Sequence, residues 1–248
     1  MTHLIQHALE SEGIVLHYQP IMNITTGEII HYEALMRIVT QNGELVYPRK
    51  IIPIAERFGL MTQIDRRVME LSFEALGKYP DLKLFVNLSG ASIGNDELLS
   101  FIEENILIRG VEASRLGFEI TETIAVKDFV RADRWIRQLR KKGCRFALDD
   151  FGIGFSSFSY LQYLSVDYVK IDGSYVHDLD RNYKNRALVQ AMNTVARSLG
   201  KEVIAEFVEN ESILRILEGD KINHAQGNFV GEPAPVPQSS VVLDLSRN

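Results

Sequence analysis

The stretch Phe129-Val-Arg-Ala-Asp-Arg-Trp-Ile-Arg-Gln-Leu-Arg-Lys-Lys-Gly143-Cys-Arg-Phe-Ala-Leu148-Asp-Asp150 contains one repeat of the fold. The helical period predicts a helix over Phe129–Lys142 with Val130, Ile136 and Leu139 facing in. Gly143 stops it, at the position where a helix end favours glycine. Arg145–Leu148 then reads as a short strand, apolar without alternation, as a strand buried on both faces must be. That strand ends on two adjacent carboxylates, Asp149 and Asp150.

The same alternation runs outward in both directions. Helices are predicted at Met61–Tyr79 (Met61, Ile64, Val68, Leu71 and Ala75 on one face), at about Glu97–Glu104, at Ala187–Leu199 (Leu188, Ala191, Met192, Val195, Leu199, with Gly200 as the stop) and at Ser212–Leu217. Strands are predicted at Leu84–Leu88, Leu116–Thr121, Tyr168–Ile171 and Val203–Ala205, with a last extended piece at Ala225–Val230. The spacing, roughly 20–35 residues, is that of a βα unit. Val15–Ile21 and Ile29–Met36 differ: a Thr26-Gly27 turn joins them as a hairpin-like antiparallel pair. A closed (β/α)8 barrel and an open doubly wound sheet both fit this α/β pattern. The absence of a glycine-rich turn after Val15–Ile21 favours the barrel, modified by an antiparallel first strand. No linker interrupts the chain, so a single domain over residues 1–248 is expected, with the barrel at about 12–236.

Composition narrows the function. With 46% hydrophobic and 24% charged residues the 248-residue chain has material for a core, and its net charge of −6 argues against a nucleic-acid polymer as partner. The single cysteine, Cys144, excludes an internal disulfide and a thiolate zinc cage, and reads as a small buried residue. The apolar runs are too short for a membrane segment. Met1-Thr2-His3-Leu4 has no signal-peptide pattern, so a cytoplasmic location is expected.

The informative residues stand at the strand ends: Glu33, Asn87, Glu119, Asp149 with Asp150, Lys170, Glu206 and Gln226. In a parallel barrel these tips converge on one rim, where active sites lie. One strand-end carboxylate would only cap a helix or pair with a base. Seven polar tips in series are different, because Lys170 alone cannot neutralise Glu33, Glu119, Asp149, Asp150 and Glu206, whereas a divalent cation can. Oxygen donors without thiolates suit Mg²⁺ or Mn²⁺. Carboxylates plus a lysine suit metal-assisted attack of water on a phosphate ester, with Lys170 holding or deprotonating that water; its bland alternative is a structural salt bridge. The six histidines show no metal-site spacing. Gly152-Ile-Gly154-Phe-Ser-Ser157 is a glycine-hinged loop beside the site and not a P-loop.

Eight ordered motifs resemble the EAL domains, which hydrolyse the bacterial second messenger cyclic di-GMP. They are Tyr18-Gln-Pro-Ile21, Glu33-Ala-Leu-Met-Arg37, Val86-Asn-Leu-Ser89, Phe118-Glu-Ile-Thr-Glu122, Asp149-Asp-Phe-Gly-Ile-Gly-Phe-Ser-Ser157, Val169-Lys-Ile-Asp172, Ala205-Glu-Phe-Val-Glu209 and Gln226-Gly227. The resemblance covers essentially the whole chain and implies a modified (β/α)8, TIM-like barrel whose first strand is antiparallel. It implies Glu33, Asn87, Glu119 and Asp149 as metal ligands, Asp150 at or bridging a second ion, and Glu206 as a further carboxylate contacting metal or its water. Lys170 corresponds to the residue that orients or deprotonates the attacking water. Arg37 corresponds to a phosphate contact, Leu35 and Gln19 to substrate contacts, and Gln226 to a residue that helps hold water or substrate. Glu122 resembles the acidic anchor of the glycine loop, which carries Gly152 and Gly154 and couples the metals to dimer contacts. Cyclic di-GMP as ligand, two Mg²⁺ or Mn²⁺ ions and a homodimer follow from the same resemblance.

Departures from the common family pattern are Phe207, Asn228, Glu232, Ile153 and Phe155; none removes an implied metal ligand. The expected activity is therefore cleavage of cyclic di-GMP to pGpG. Two alternatives stand beside it: a weak or inactive receptor that holds cyclic di-GMP and acts through a partner, and a different metal-dependent phosphodiesterase on the same barrel.

Overall fold

The computed structural model describes residues 1–153 and 160–238. Its elements run, in chain order, α1 (Thr2–Glu10), β1 (Ile14–Asn23), β2 (Ile29–Val39), β3 (Leu45–Val46), α2 (Pro48–Arg57), α3 (Met61–Lys78), β4 (Leu84–Asn87) and α4 (Asp96–Ile108). There follow β5 (Leu116–Thr121), α5 (Glu122–Lys127), α6 (Phe129–Lys142), β6 (Arg145–Phe151), β7 (Tyr168–Ile171), α7 (Gly173–Val176), α8 (Tyr183–Ser198), β8 (Glu202–Ala205), α9 (Glu211–Gly219) and β9 (His224–Gln226). Among the described residues the strands form one sheet in the order β1-β9-β8-β7-β6-β5-β4-β2-β3, and a further β1–β2 pairing closes it into a mixed α/β barrel. β3 lies outside the ring beside β2.

The first pair has the orientation its short turn requires. β1 is antiparallel to β2, from Ile14↔Ile38 to Met22↔Ile29, and antiparallel to β9 through Ile21↔Gln226. From β2 through β4, β5, β6, β7 and β8 to β9 every ring pairing is parallel. The open-sheet alternative is thereby excluded.

Three sequence expectations need correction. Val130 is exposed; the buried face of α6 is Ala132, Trp135, Ile136 and Leu139, and Val130, six positions before Ile136, falls off that face at 100° per residue. In α8 the inward face is Val189, Met192, Asn193 and Ala196, one position round from the predicted stripe, so Leu188 and Ala191 are exposed. Asn193 explains the shift: its Nδ2 donates to the Asp220 carbonyl at 2.9 Å, which satisfies a polar side chain at the centre of the packed face. The last strand ends at Gln226, because Val230 N–H turns back to the Gly227 carbonyl at 3.0 Å. Gly143 sits at φ 111° after α6, as its position predicts.

Strand alternation stacks two inward layers. Two residues before Glu33, Asn87, Glu119, Asp149, Lys170, Glu206 and Gln226 lie His31, Phe85, Gly117, Ala147, Tyr168, Ile204 and His224. His31 stacks on Phe85 (ring centroids 4.1 Å apart), and Tyr168 meets His31, Phe85 and His224 at 5.4, 5.6 and 5.9 Å. Gly117 makes room for this layer, since a Cβ there would stand 2.4 Å from the Phe85 ring. The layer is an aromatic floor under the polar tips.

Burial, reinforced by His224, Lys170 and Lys83, holds the His31 imidazole well below its ordinary pKa. The folded protein therefore keeps His31 neutral while the unfolded chain protonates it as pH falls through about 6.5. Above that pH His31 carries no protonation penalty, and below it the penalty destabilises the fold. Replacement His31→Phe is expected to raise the melting temperature relative to the parent by an increment that grows from pH 7.5 to pH 5.5. Paired thermal melts in EDTA check this; a pH-independent increment refutes it.

Candidate active site

The upper layer of the barrel is charged. Lys170, fully buried on β7, places its Nζ 2.6 Å from Glu119 Oε2, 2.8 Å from Glu206 Oε1, 3.1 Å from Glu33 Oε2 and 3.3 Å from Asp149 Oδ1. These groups arrive from β2, β5, β6, β7 and the residue after β8, so the parallel register of successive strands brings them together. Asn87 Nδ2 donates to Glu33 Oε1 at 2.6 Å and Gln226 Nε2 to Glu33 Oε2 at 2.5 Å. Gln226 Nε2 also donates to Gln19 Oε1 at 3.1 Å, which ties β1 and β9 to the same carboxylate.

The protonation pattern follows from crowding. Burial alone would raise Glu33, but Lys170 and the bonds from Gln226 and Asn87 more than offset it and hold Glu33 below its ordinary value. Glu119 is pushed well above its range by burial and by Glu33. Burial raises Asp149 as well. Glu206 is pushed up to about 8 by burial and by Asp149 and Glu33, against the pull of Lys170. Asp150 rises to about 6 through burial, Asp149 and Asp172. Burial would lower Lys170, but Asp149, Glu119, Glu206 and Glu33 together hold it well above its range, so it keeps its charge. The carboxylates of the ring outnumber the one ammonium, which is why crowding raises the proton affinity of Glu119, Asp149 and Glu206.

Asp149, Asp150 and Glu206 offer carboxylate oxygens that all lie within 4.8 Å of one another, a spacing that suits a cation. Asp150 is turned to this group by a register shift of β6 against β7 after Leu148 and by its own left-handed φ of 56°. Glu122, at the start of α5, accepts the Gly152 N–H at 3.2 Å. Gly154, Phe155, Ser156 and Ser157 lie outside the described residues.

A cavity of about 470 Å³ opens beside the carboxylates. Leu35, Met36, Ile52, Ile64 and Ile124 give it an apolar wall, and Asn87, Asp149 and Asp150 a polar edge. Arg37 does not join the carboxylate ring. Its Nη1 donates to the Met36 carbonyl at 2.9 Å, its guanidinium lies 4.9 Å from the Tyr47 ring centroid, and its Nε is buried without a hydrogen-bond partner.

Asp65 in α3 was not foreseen. Its Oδ2 accepts the Ser89 N–H at 3.1 Å, the Ser89 hydroxyl at 2.5 Å and the Ser92 hydroxyl at 2.6 Å, which pins the turn after Asn87. A carboxylate beside Ile64 within the apolar face of Met61–Tyr79 was the available signal, because a buried acid needs partners.

The sequence profile described as the EAL domain matches residues 3–233. The chain belongs to the EAL domain family. This EAL domain is 40% identical over 237 residues to the cyclic di-GMP phosphodiesterase PdeB of Shewanella oneidensis, covering 94% of the chain and 28% of that relative. It is 32% identical over 240 residues to the cyclic di-GMP phosphodiesterase PdeF of Escherichia coli, covering 95% of the chain and 32% of PdeF. The chain thus spans under a third of the length of these relatives. Among solved structures it resembles the c-di-GMP complex of the phosphodiesterase PaMucR (TM-score 0.88, 31% identity, 94% of this chain and 97% of that one). It also resembles the FimX EAL domain of Pseudomonas aeruginosa bound to c-di-GMP (TM-score 0.90, 28% identity, 96% and 98%). Among the described residues no helix is long and apolar enough to cross a membrane.

Removing the ammonium from this EAL domain leaves buried carboxylates without their counter-charge. Lys170→Met is expected to destabilise the metal-free protein by about 3–5 kcal/mol at pH 8. The loss shrinks toward pH 5, where the carboxylates take up protons instead. Urea denaturation of both proteins at the two pH values measures it; equal losses at both contradict the charge argument.

Proposed function

We propose that the chain is a metal-dependent phosphodiesterase that hydrolyses cyclic di-GMP to linear pGpG. The observation that carries the reading is the ring of Glu33, Glu119, Asp149 and Glu206 around the buried Lys170, with Asp149 and Asp150 on the edge of a cavity of about 470 Å³. The likeness to PdeB, a cyclic di-GMP phosphodiesterase, and the c-di-GMP bound in the PaMucR complex support it.

The donor set fits divalent cations. It is all oxygen, it carries excess negative charge, and Glu119 Oε1 is buried with no hydrogen-bond partner. Glu33, Asn87, Glu119, Asp149, Asp150 and Glu206 would hold two Mg²⁺ or Mn²⁺ ions. Bound divalent ions supply Lewis-acid polarisation of the phosphoryl oxygens and a more acidic water. The protein does the rest. Asn87 and Gln226 fix the two oxygens of Glu33. Lys170, held charged, orients the attacking water by donating to it. The Arg37 guanidinium meets a phosphate oxygen of the ligand, where a guanidinium fork suits a phosphodiester. Leu35 and the apolar wall receive a base, and Gln19, bonded to Gln226, meets the other side of the ligand. Water adds to one phosphorus and gives up a proton, the P–O3′ bond breaks, the departing 3′-oxygen takes up a proton, and pGpG results.

Chromatography of cyclic di-GMP after incubation with the protein and Mn²⁺ or Mg²⁺ is expected to show pGpG. EDTA should abolish the reaction and added Mn²⁺ restore it, and Glu33→Ala should lower turnover by more than about a hundredfold. Substrate bound but uncut would make the chain a receptor. Equal cleavage of simple phosphodiesters would make it a broader phosphodiesterase.

A second copy of the chain is the partner this reading adds. Val130 (78% exposed) and Tyr163 (60% exposed) flank Phe129, whose ring lies 6.1 Å from Tyr160 and 6.4 Å from Tyr163. This apolar patch at the start of α6 lies just after α5, whose Glu122 grips Gly152. Sedimentation is expected to show a dimer that Val130→Glu converts to monomer; a monomeric parent refutes it.

A further inference from the structure

The turn after Asp149–Asp150 is gripped at two atoms of one residue. Gly152 donates its N–H to Glu122 Oε2 at 3.2 Å, and its carbonyl accepts the Tyr175 hydroxyl at 2.6 Å. The two grips come from opposite sides. Glu122 follows β5, and Tyr175 sits in α7, immediately after the β7 strand that carries Lys170. Gly152 has φ 106°, and a Cβ there would stand 2.9 Å from Tyr175 Cε2 and 3.0 Å from Met192 Cε, so the backbone is wedged against the ring. Tyr175 is itself fixed, since its N–H bonds the Asp172 carbonyl at 3.1 Å and Asp172 Oδ1 accepts the Ser174 N–H at 2.8 Å.

We propose that Tyr175 is a positioning residue for the Asp149–Asp150 pair, its hydroxyl holding the Gly152 carbonyl opposite Glu122 and so aiming both carboxylates at a divalent cation shared with Glu206. The inference rests on the metal-dependent reading above and deepens it. Register and φ explain why the grip matters. β6 slips against β7 after Leu148, and Asp150 is left-handed, a conformation unfavourable for a residue with a side chain. Such a backbone persists only where its surroundings over-determine it. Two hydrogen bonds on the second residue after Asp150 do that, and Tyr175 provides the one that couples the turn to the Lys170 strand. No proton transfer is involved, and Tyr175 touches no reacting atom.

The test is Tyr175→Phe in the full chain, which removes one oxygen and keeps the ring. Mn²⁺ uptake by the substrate-free protein, followed by the electron paramagnetic resonance of free Mn²⁺, reads the site without catalysis. The expected result is an apparent Mn²⁺ dissociation constant raised about three- to tenfold, the effect of one lost hydrogen bond. Turnover of cyclic di-GMP should return to the parent value at saturating Mn²⁺, because the grip sets occupancy of the site and not the chemistry. Met192→Leu, which disturbs the same packing and leaves the hydroxyl, should bind Mn²⁺ like the parent. Equal titrations of parent and Tyr175→Phe overturn the role of Tyr175 and leave the phosphodiesterase reading standing. A Met192→Leu variant that weakens Mn²⁺ as much as Tyr175→Phe overturns the hydroxyl's part in favour of packing. A parent that takes up no Mn²⁺ overturns both.

Discussion

Lys170 sets one positive charge among four carboxylates at the top of the barrel, and neither side of that arrangement is stable there without the other. An unpaired ammonium would be as costly as the unpaired acids. The pairing is incomplete by design of the chain, because the acids outnumber the base. Burial and mutual repulsion raise the proton affinity of Glu119 and Glu206, and Asn87 and Gln226 hold Glu33 by hydrogen bonds. The lysine therefore organises the ring and leaves it with an affinity for further positive charge.

The barrel makes the arrangement by stacking. Each strand contributes one inward polar residue at its tip and one inward residue two positions earlier, and the earlier ones form the layer of His31, Phe85, Tyr168 and His224. This floor packs directly beneath the carboxylates. Gly117 contributes by having no side chain, since the Phe85 ring occupies the volume a Cβ would need. The same alternation that fills an ordinary barrel core with apolar residues here divides it into an aromatic layer and a charged one.

Much of this was legible along the chain because strands buried on both faces are apolar, so Glu119 after Leu116-Gly-Phe118, or Lys170 after Tyr168-Val169, stands out against its background. The antiparallel opening pair was legible from the Thr26-Gly27 turn. Helical faces were less so. Asn193 and Ala196 line the inward face of α8 while Leu188 faces out, because the Asp220 carbonyl satisfies Asn193 and lets a polar residue take a core position. Asp65 and Tyr175 were missed for a related reason. Their partners, the serines of the Asn87 turn and the carbonyl of Gly152, are brought to them by folding, and no spacing in the sequence records it.

The antiparallel β1 also imposes an order of assembly. It closes the ring by pairing with β9, through Ile21 and Gln226, near the two ends of the described chain. A nascent chain emerging from its N-terminus first holds the β1–β2 hairpin early, by local contacts, and must wait for its last strand before the ring can shut. Glu33 belongs to the early hairpin and Gln226 to the late strand, and they meet only on closure. A truncated translation product that lacks β9 therefore keeps Glu33 but never builds its full setting, so incomplete chains are born without a finished site.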